Sequence, residues 1–244
     1  MHSSILIVSA LSIVVSGIDT WGPAISFGPS KSTIIYSTTT IQPPESPVQP
    51  KDGFLTIWPG ISNSTNDLIQ STLDSFDLSN PKNNCSGISM KPGDWCAQAS
   101  VFGNDSFPGD PNLQHDGPAT IVRKGQLLQI EYKLEPDNLN WTQTVTDIAS
   151  KKVISTLSSR SEAYMRGWGT AVECQKDCNP PGLHHYFNTS IKFKEAERDF
   201  TANLVSYSNA TCSKPVSVDG GITWSIAKIT IPATKRANST KRAL

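Results

Sequence analysis

The sequence predicts an all-β protein in which two antiparallel sheets pack face to face as a β-sandwich with a concave cleft. Two observations predict this fold. Segments rich in β-branched and aromatic residues alternate polar and apolar positions with a period of two, and helical periodicity is scarce. Turn-forming runs such as Gln42-Pro43-Pro44 separate these segments, without the strand–helix–strand alternation that builds a parallel sheet.

Twelve segments of the chain carry the strand pattern. They are residues 32–40, 53–58, 67–76, 94–102, 120–122, 127–134, 141–148, 152–158, 170–174, 186–193, 202–208 and 223–231. Residues 194–200, with the sequence KEAERDF, predict a short helix or turn. We therefore expect one sandwich domain over residues 18–232, a length sufficient for a sizeable core.

Both ends of the chain lie outside this domain. An apolar run from Ile5 to Val15 is followed by the small residues Ser16 and Gly17, which is the pattern of a secretory signal peptide over residues 1–17. A membrane anchor is the alternative, but the run is too short to cross about 30 Å of hydrocarbon. Residues 233–244 are polar and predict a disordered tail. We expect a secreted protein without membrane contact after signal cleavage.

Seven Asn-X-Ser/Thr sequences agree with passage through the secretory pathway. Their acceptor residues are Asn63, Asn84, Asn104, Asn140, Asn188, Asn209 and Asn238. None has a proline between the asparagine and the hydroxyl residue, so the sequence predicts a glycoprotein.

The chain has five cysteines, which an oxidising compartment should mostly pair. The sequence does not determine which cysteines bond to each other. We expect the local pairs Cys85–Cys96 and Cys174–Cys178, with Cys212 left free or buried. A zinc site is the alternative at Cys174–Cys178, because His184 and His185 follow closely, but thiolate–zinc sites are uncommon where disulfides form. We therefore expect no metal.

Charge and motifs exclude several classes of function. Lys+Arg and Asp+Glu both number 21, so the net charge is zero and the basic surface of a nucleic-acid-binding protein is lacking. The sequence has no Gly-rich phosphate loop and no HExxH motif, and we expect no cofactor. The expected partner is a small-molecule or peptide substrate.

A series of short motifs suggests a more specific function. In chain order they are Thr20-Trp21-Gly22-Pro23-Ala24, Ile57-Trp58-Pro59-Gly60-Ile61, Asp67-Leu68-Ile69-Gln70-Ser71, Lys124-Gly125-Gln126 and Trp168-Gly169-Thr170-Ala171-Val172-Glu173. This order resembles the fungal glutamic peptidases, the eqolisins, which carry Asn-Trp-Ala-Gly-Ala, Trp-Val-Gly-Ile-Asp-Gly, Ile-Leu-Gln-Thr-Gly, an Ala-Gly-Asp turn and Glu-Trp-Ile-Val-Glu. The resemblance consists of scattered motifs between Trp21 and Glu173.

The resemblance implies a jelly-roll or concanavalin-like sandwich, and it matches Gln70 and Glu173 to the catalytic Gln and Glu of the family. In that family the Glu is thought to activate water as a general base, and the Gln amide to stabilise the oxyanion. Such chemistry is reasonable for a cleft carboxylate and a neighbouring amide. Trp58, Trp95 and Trp168 are expected to form apolar walls that bind the substrate. The alternative is that Gln70 and Glu173 are ordinary polar residues on strands.

The sequence also departs from the family's pattern. The Asp of Ile-Asp-Gly is replaced by Ser62, and Thr170 stands where the Trp of the last motif would be. Trp21 follows the signal peptide closely, so we expect no long prosegment of the kind the family carries. These departures favour a β-sandwich protein that retained the two polar cleft residues but no longer cleaves peptides.

Three functions remain open. The preferred one is a cofactor-independent enzyme that uses Gln70 and Glu173 for acid/base-assisted dehydration or cyclisation of a small organic metabolite. In type and size the chain is similar to the secreted fungal hetero-Diels–Alder cyclases. The second function is an acid glutamic endopeptidase with the same two residues. The third is a non-catalytic glycan-binding module, because sandwich concavities with exposed aromatic residues often bind sugars.

Overall fold

The computed structural model describes residues 19–63, 67–103, 107, 109 and 113–234. The predicted signal peptide, the sequons at Asn104 and Asn238 and most of the predicted tail lie outside the described residues. In the described part of the chain, no helix is long and apolar enough to cross a membrane.

Within these residues the chain forms sixteen β-strands. They are β1 (Asp19–Trp21), β2 (Ala24–Phe27), β3 (Ile34–Gln42), β4 (Phe54–Ser62), β5 (Leu68–Phe76), β6 (Asp94–Phe102), β7 (Gln114–Asp116), β8 (Thr120–Arg123), β9 (Leu128–Leu134), β10 (Trp141–Asp147), β11 (Lys152–Ser159), β12 (Gly167–Gln175), β13 (His184–Phe193), β14 (Leu204–Tyr207), β15 (Thr211–Cys212) and β16 (Thr223–Ile231). Turns over residues 194–199 lead into a short 3-10 helix at Phe200–Asn203. Every predicted strand overlaps one of these strands, and the all-β prediction is confirmed.

The strands form two antiparallel sheets. Sheet A has the order β14-β2-β12-β4-β5-β6-β7, with β1 also beside β12 and β8 also beside β6. Sheet B has the order β11-β10-β9-β3-β13-β16-β15. The predicted two-sheet sandwich is confirmed.

The core lies between the two sheets and is built by the period-two alternation of their strands. In β10, Trp141, Gln143 and Val145 are fully or almost fully buried, while the residues between them are half-buried. Burial of each large apolar side chain stabilises the fold by about 2 kcal/mol. Gln143 is satisfied in the core because its amide donates to the Ser100 carbonyl (3.0 Å) and accepts from the Ser100 N–H (3.3 Å), which ties the two sheets together.

Both expected disulfides are present. Cys85 is bonded to Cys96 on β6, and Cys174 near the end of β12 is bonded to Cys178 in the following turn. Cys212 is free and half-buried. The sulfurs of the zinc alternative are therefore bonded to each other, and in the described ranges no three His, Cys, Asp or Glu residues are grouped to hold a metal ion.

Candidate functional site

Gln70 and Glu173 lie on the same face of sheet A, the face opposite the core. On β12, Trp168 and Val172 belong to the core, so Glu173 points to the other face. On β5, Ile69 belongs to the core, so Gln70 also points away from it. The sheet therefore places both predicted catalytic side chains on one surface.

The strand register places these two residues at different levels of that surface. Gln70 pairs with Gly60 of β4, which pairs with Gly169 of β12. Glu173 is four residues further along β12, which corresponds to about 13 Å along the strand. Side chains stand roughly perpendicular to a sheet, so the two groups rise from separate positions. Their joint action on one reacting atom remains a prediction, which this separation does not favour.

An apolar pocket of about 250 Å³ occupies the same face. Its lining residues are Trp21, Gly22, Ala24, Ser26, Trp58, Gly60, Ser62, Leu68, Gly167, Trp168, Gly169, Thr170, Ala171, Val205 and Tyr207. The floor includes Gly60, Gly167 and Gly169. A Cβ would lie 3.0 Å from the Ile69 carbonyl at Gly60 and 3.1 Å from the Ile25 carbonyl at Gly169, whereas at Gly167 its nearest neighbour would be 3.4 Å away. No carboxylate, amine or imidazole is among the lining residues.

The three predicted tryptophans have different positions. Trp58 lines the pocket and makes an edge-to-face contact with Trp21, with ring centroids 6.4 Å apart. Trp168 borders the pocket, although its side chain belongs to the core and its ring packs against Phe27. Trp95 is fully buried in the core, where its indole N–H donates to the Pro44 carbonyl (2.8 Å). Trp95 faces the other side of sheet A and is therefore not a wall of this pocket.

Gln70 borders the pocket at its side. Its pairing partner Gly60 is part of the pocket floor, and Leu68, two residues before it on the same face, lines the pocket. Gln70 is only 7% exposed, and its Oε1 has no hydrogen-bond partner among the described residues. A buried carbonyl oxygen without a partner is costly, so a hydrogen-bond donor from a ligand or water would stabilise it.

Glu173 borders the pocket at one end. It is the next residue on its strand after Ala171 that points to the same face, and Ala171 lines the pocket. The Trp58 indole N–H donates to Glu173 Oε2 (3.3 Å), and the Gln175 amide donates to Oε1 (3.2 Å). The ring that forms a wall of the pocket therefore also orients this carboxylate.

Asp74 is a buried acid on the same face that sequence reasoning missed. It lies level with Glu173, because Thr56 of β4 pairs with both residues. Burial, together with the smaller effects of the charges of Asp116 and Glu173, raises the pKa of Asp74 to about 7, although hydrogen bonds from Thr56 and Thr72 act in the opposite direction. Pairs of acids whose surroundings differ in this way are common in acid–base sites.

The pocket residues that sequence reasoning missed include Trp21, Tyr207 and the glycines of the floor. A signal for the floor was present, since Gly167 and Gly169 flank Trp168 with the period of a strand and must share a face. Asp74 had a similar signal, because it stands four residues after Gln70 in the same strand. No comparable signal marked Tyr207, which reaches the pocket through the distant strand β14.

The described sequons differ in exposure. Asn84, Asn188 and Asn209 are exposed, whereas Asn63 and Asn140 are half-buried. The Asn140 side-chain nitrogen donates to Asp137 Oδ2 (2.6 Å), which occupies the atom that a glycan would modify. Glycosylation at all of these positions remains a prediction.

Known structures with a similar fold come from the glutamic peptidases. Scytalidoglutamic peptidase with a transition-state analogue inhibitor has a TM-score of 0.54 and 14% sequence identity, covering 87% of this chain and 99% of that chain. Its complex with a peptide-based transition-state analogue has a TM-score of 0.52 at the same identity and coverage. SCP-B, an eqolisin in complex with the tripeptide Ala-Ile-His, has a TM-score of 0.50 and 13% identity, with the same coverage.

These likenesses confirm the distant eqolisin resemblance at the level of the fold. No protein-family model matches the chain, and no curated protein matches its sequence. At 13–14% identity the comparison shows the fold alone, so the chemistry must be argued from the site.

Proposed function

We propose that this chain binds a small, mainly apolar organic molecule in the pocket on sheet A and converts it by acid/base chemistry at Glu173. The observation that carries the proposal is a Trp-walled apolar pocket whose lining residues Leu68 and Ala171 are each followed, two positions along the strand, by a polar residue on the same face, Gln70 and Glu173. Apolar pockets with a few convergent polar groups are the usual form of small-molecule sites.

The pocket volume favours a ligand of one or two rings. An engineered cavity of about 150 Å³ holds benzene. The pocket here is about 250 Å³, which leaves room for a bicyclic apolar body. Trp21 and Trp58 meet edge to face and provide aromatic surface for such a ring.

Gln70 and Glu173 have different roles in this proposal. Gln70 Oε1 is buried and has no hydrogen-bond partner among the described residues. It therefore accepts a hydrogen bond from a ligand group such as a hydroxyl. Glu173 is held by the Trp58 indole and accepts or donates a proton at the other end of the ligand. Such an arrangement supports dehydration or cyclisation, in which positioning of the substrate lowers much of the barrier.

Binding of naphthalene and 2-naphthol, measured by calorimetry, tests the proposal. A hydrogen bond from the naphthol hydroxyl to Gln70 is worth about 1 kcal/mol, so 2-naphthol should bind about fivefold more tightly than naphthalene. The Gln70→Leu variant should lose this preference. Equal binding of both probes by the wild type would contradict the role of Gln70.

Filling the pocket provides the second arm of this test. A Cβ at Gly167 meets nothing closer than Ser62 Oγ at 3.4 Å, so Gly167→Leu places a side chain in the pocket without a backbone clash. This variant should abolish binding of both probes. Gly182→Leu is the matched control, because Gly182 is exposed, lies outside the pocket and has its nearest neighbour at 3.5 Å. Unchanged binding in Gly167→Leu would place the ligand elsewhere.

A peptide is the second candidate ligand. The similar peptidases bind a peptide-based transition-state analogue and the tripeptide Ala-Ile-His in their structures. In this chain the pocket would take one apolar side chain of an extended peptide. Where the family's Glu and Gln act on one water, the β12 residue level with Gln70 is Gly169, which has no carboxylate. Digestion of unfolded protein at low pH by the wild type, lost in Glu173→Gln, would favour the peptidase.

A glycan-binding module would need exposed aromatic platforms. Trp58 and Trp168 are 3% and 1% exposed, which leaves Trp21 and Tyr207 as the exposed rings of the pocket. We therefore rank it third.

Export through the predicted signal peptide and glycosylation at the exposed Asn188 and Asn209 complete the proposal. The two disulfides are compatible with export. Asn84 is a poorer acceptor, because its side-chain nitrogen donates to the Lys82 carbonyl and the next residue, Cys85, is in a disulfide. A mass loss of the exported protein on treatment with peptide N-glycosidase tests both export and glycosylation.

A further inference from the structure

Three polar side chains form a row across sheet A beside the pocket. Glu173 of β12 pairs with Thr56 of β4, and Thr56 pairs with Asp74 of β5. All three point away from the core, since Ile57 and Leu73, which follow Thr56 and precede Asp74, belong to the core. Residues directly opposite on neighbouring strands have Cβ atoms about 5 Å apart, so Thr56 lies between the two carboxyl groups.

The row contains two buried polar atoms that remain unsatisfied. Asp74 Oδ2 accepts from the Thr72 hydroxyl (3.2 Å) and the Gln98 amide (3.1 Å). Asp74 Oδ1 and Thr56 Oγ1 make no hydrogen bond of regular geometry with any described residue, although the Thr56 hydroxyl is close enough to Asp74 to lower its pKa. Asp74 is 3% and Thr56 5% exposed, so bulk water does not replace the missing partners. The free oxygen of the acid and the free hydroxyl belong to directly paired residues.

We propose that Thr56 is a positioning residue that links Asp74 to Glu173, so that the three side chains share one proton. The inference rests on the proposed function in taking Glu173 as the acid/base group. Burial raises the pKa of Asp74 to about 7, which supports a proton on this acid over the mildly acidic range. When Asp74 is protonated, Oδ1–H donates to Thr56 Oγ1, and the Thr56 hydroxyl donates to Glu173.

Proton transfer along the row is balanced without any other reactant. Asp74 gives its proton to Thr56 Oγ1, and Thr56 gives its own hydroxyl proton to a Glu173 oxygen. The O–H bond of Asp74 breaks, the O–H bond of Glu173 forms, and Thr56 ends with one proton as it began. The negative charge moves from Glu173 to Asp74, where the Thr72 hydroxyl and the Gln98 amide already donate to Oδ2. Glu173 is then the acid that faces the ligand.

Other charged groups act on this row from the neighbouring strands. Asp116 of β7 raises the pKa of Asp74, as does Glu173 itself. Asp94, on the same face of β6 as Gln98, is paired with Arg123 of β8 (2.8 Å), so its charge is largely compensated. The additional negative charge favours retention of one proton in the row.

The Trp58 indole N–H is a spectroscopic probe of the row because it donates to Glu173 Oε2 (3.3 Å). We would follow its nitrogen and proton resonances across pH in the labelled full chain without ligand. The wild type should show a change near pH 7, where Asp74 titrates. In Asp74→Asn this change should disappear. In Thr56→Val it should also disappear, and Thr56→Ser, which retains the hydroxyl, should restore it.

Each alternative result overturns a defined part of the proposal. A change near pH 7 that persists in Thr56→Val shows that the two acids interact only through space. A change that persists in Asp74→Asn shows that another group titrates there. Loss in Thr56→Ser as well as in Thr56→Val shows that packing, and not the hydroxyl, supports the coupling. Because no ligand is present, failure to bind naphthalene would refute the proposed function without affecting this test.

Discussion

The Asp74→Asn substitution gives the sharpest test of the buried acid, because it replaces Asp74 by an uncharged side chain of the same shape. The new amide oxygen can still accept from the Thr72 hydroxyl and the Gln98 amide, which both donate to Oδ2 in the wild type. The substitution therefore removes the capacity to ionise with little change in packing. The difference in unfolding free energy between the variant and the wild type should therefore arise from the ionisation of Asp74 and change with pH.

The magnitude follows from the shift of the Asp74 pKa from 3.8 in the unfolded chain to about 7 in the fold. Between these values the folded state holds a proton that the unfolded state releases, so wild-type stability falls as pH rises through this window. This difference in pKa corresponds to about 4 kcal/mol of stability. The variant should match the wild type near pH 4 and exceed it by up to about 4 kcal/mol near pH 8.

Urea unfolding of both proteins at several pH values measures this difference. The comparison between the two proteins cancels the titrating groups that do not interact with Asp74, which leaves only its neighbours Asp116 and Glu173. Asp137→Asn is a suitable control, because hydrogen bonds lower the pKa of this exposed acid and its loss should bring no gain at high pH. If the free energies of unfolding of Asp74→Asn and the wild type change in parallel from pH 4 to pH 8, the assignment of a raised pKa to Asp74 is refuted.

Three further results are expected. Burial lowers the pKa of His184 to about 4, so protonation costs the fold up to about 3 kcal/mol as pH falls from 6.5 to 4, and acid titration of His184→Asn in urea should lack this loss. Trp95→Ala should lower the free energy of unfolding by about 3–5 kcal/mol without changing the naphthalene affinity of the protein that remains folded, because Trp95 lies in the core. Replacing Cys174 and Cys178 by Ser should cost about 2 kcal/mol of unfolding free energy, because their loop is short.

The sequence predicted the strands well because their alternation is local information. The four strands that it missed, β1, β2, β7 and β15, have at most four residues each, too few to show a period. Two of them nevertheless contribute Trp21, Ala24 and Ser26 to the pocket. The period-two alternation, which needs longer segments, therefore could not predict this part of the candidate site.

The orientation of the tryptophans was beyond a pattern argument for a different reason. In β4 and β6 almost every residue is buried, on the outer face of sheet A as well as on the inner one. Without alternation between buried and exposed positions, Trp58 and Trp95 look alike in the sequence. In the structure the two side chains point to opposite faces of sheet A: Trp58 faces the pocket, and Trp95 lies in the core.

Register is the third kind of information that the sequence lacked. β4 and β12 are about a hundred residues apart in the chain, and no turn between them determines how they align. A shift of four residues would have placed Glu173 level with Gln70. The observed pairing places Gly169 there and sets Glu173 level with Asp74.

This register makes a final prediction about Gln70 and Glu173. If they stand at two separate borders of one pocket, each should affect only the ligand group that reaches it. Gln70→Leu should weaken 2-naphthol about fivefold and leave 2-(aminomethyl)naphthalene unchanged, because only the hydroxyl needs the amide oxygen. Glu173→Gln should weaken the amine, whose ammonium pairs with the carboxylate, and leave 2-naphthol unchanged.

Calorimetric titration of both probes against both variants and the double variant measures this independence. Distant groups without shared partners have effects that add within about 0.5 kcal/mol, or about twofold in affinity. Two groups that act on one atom, as the peptidase mechanism requires, would each weaken both probes and would not add. Trp58 both lines the pocket and donates to Glu173, and Trp58→Phe reduces the aromatic wall as well as removing the indole N–H. It should weaken both probes through the smaller wall, and weaken the amine further because the carboxylate loses its donor.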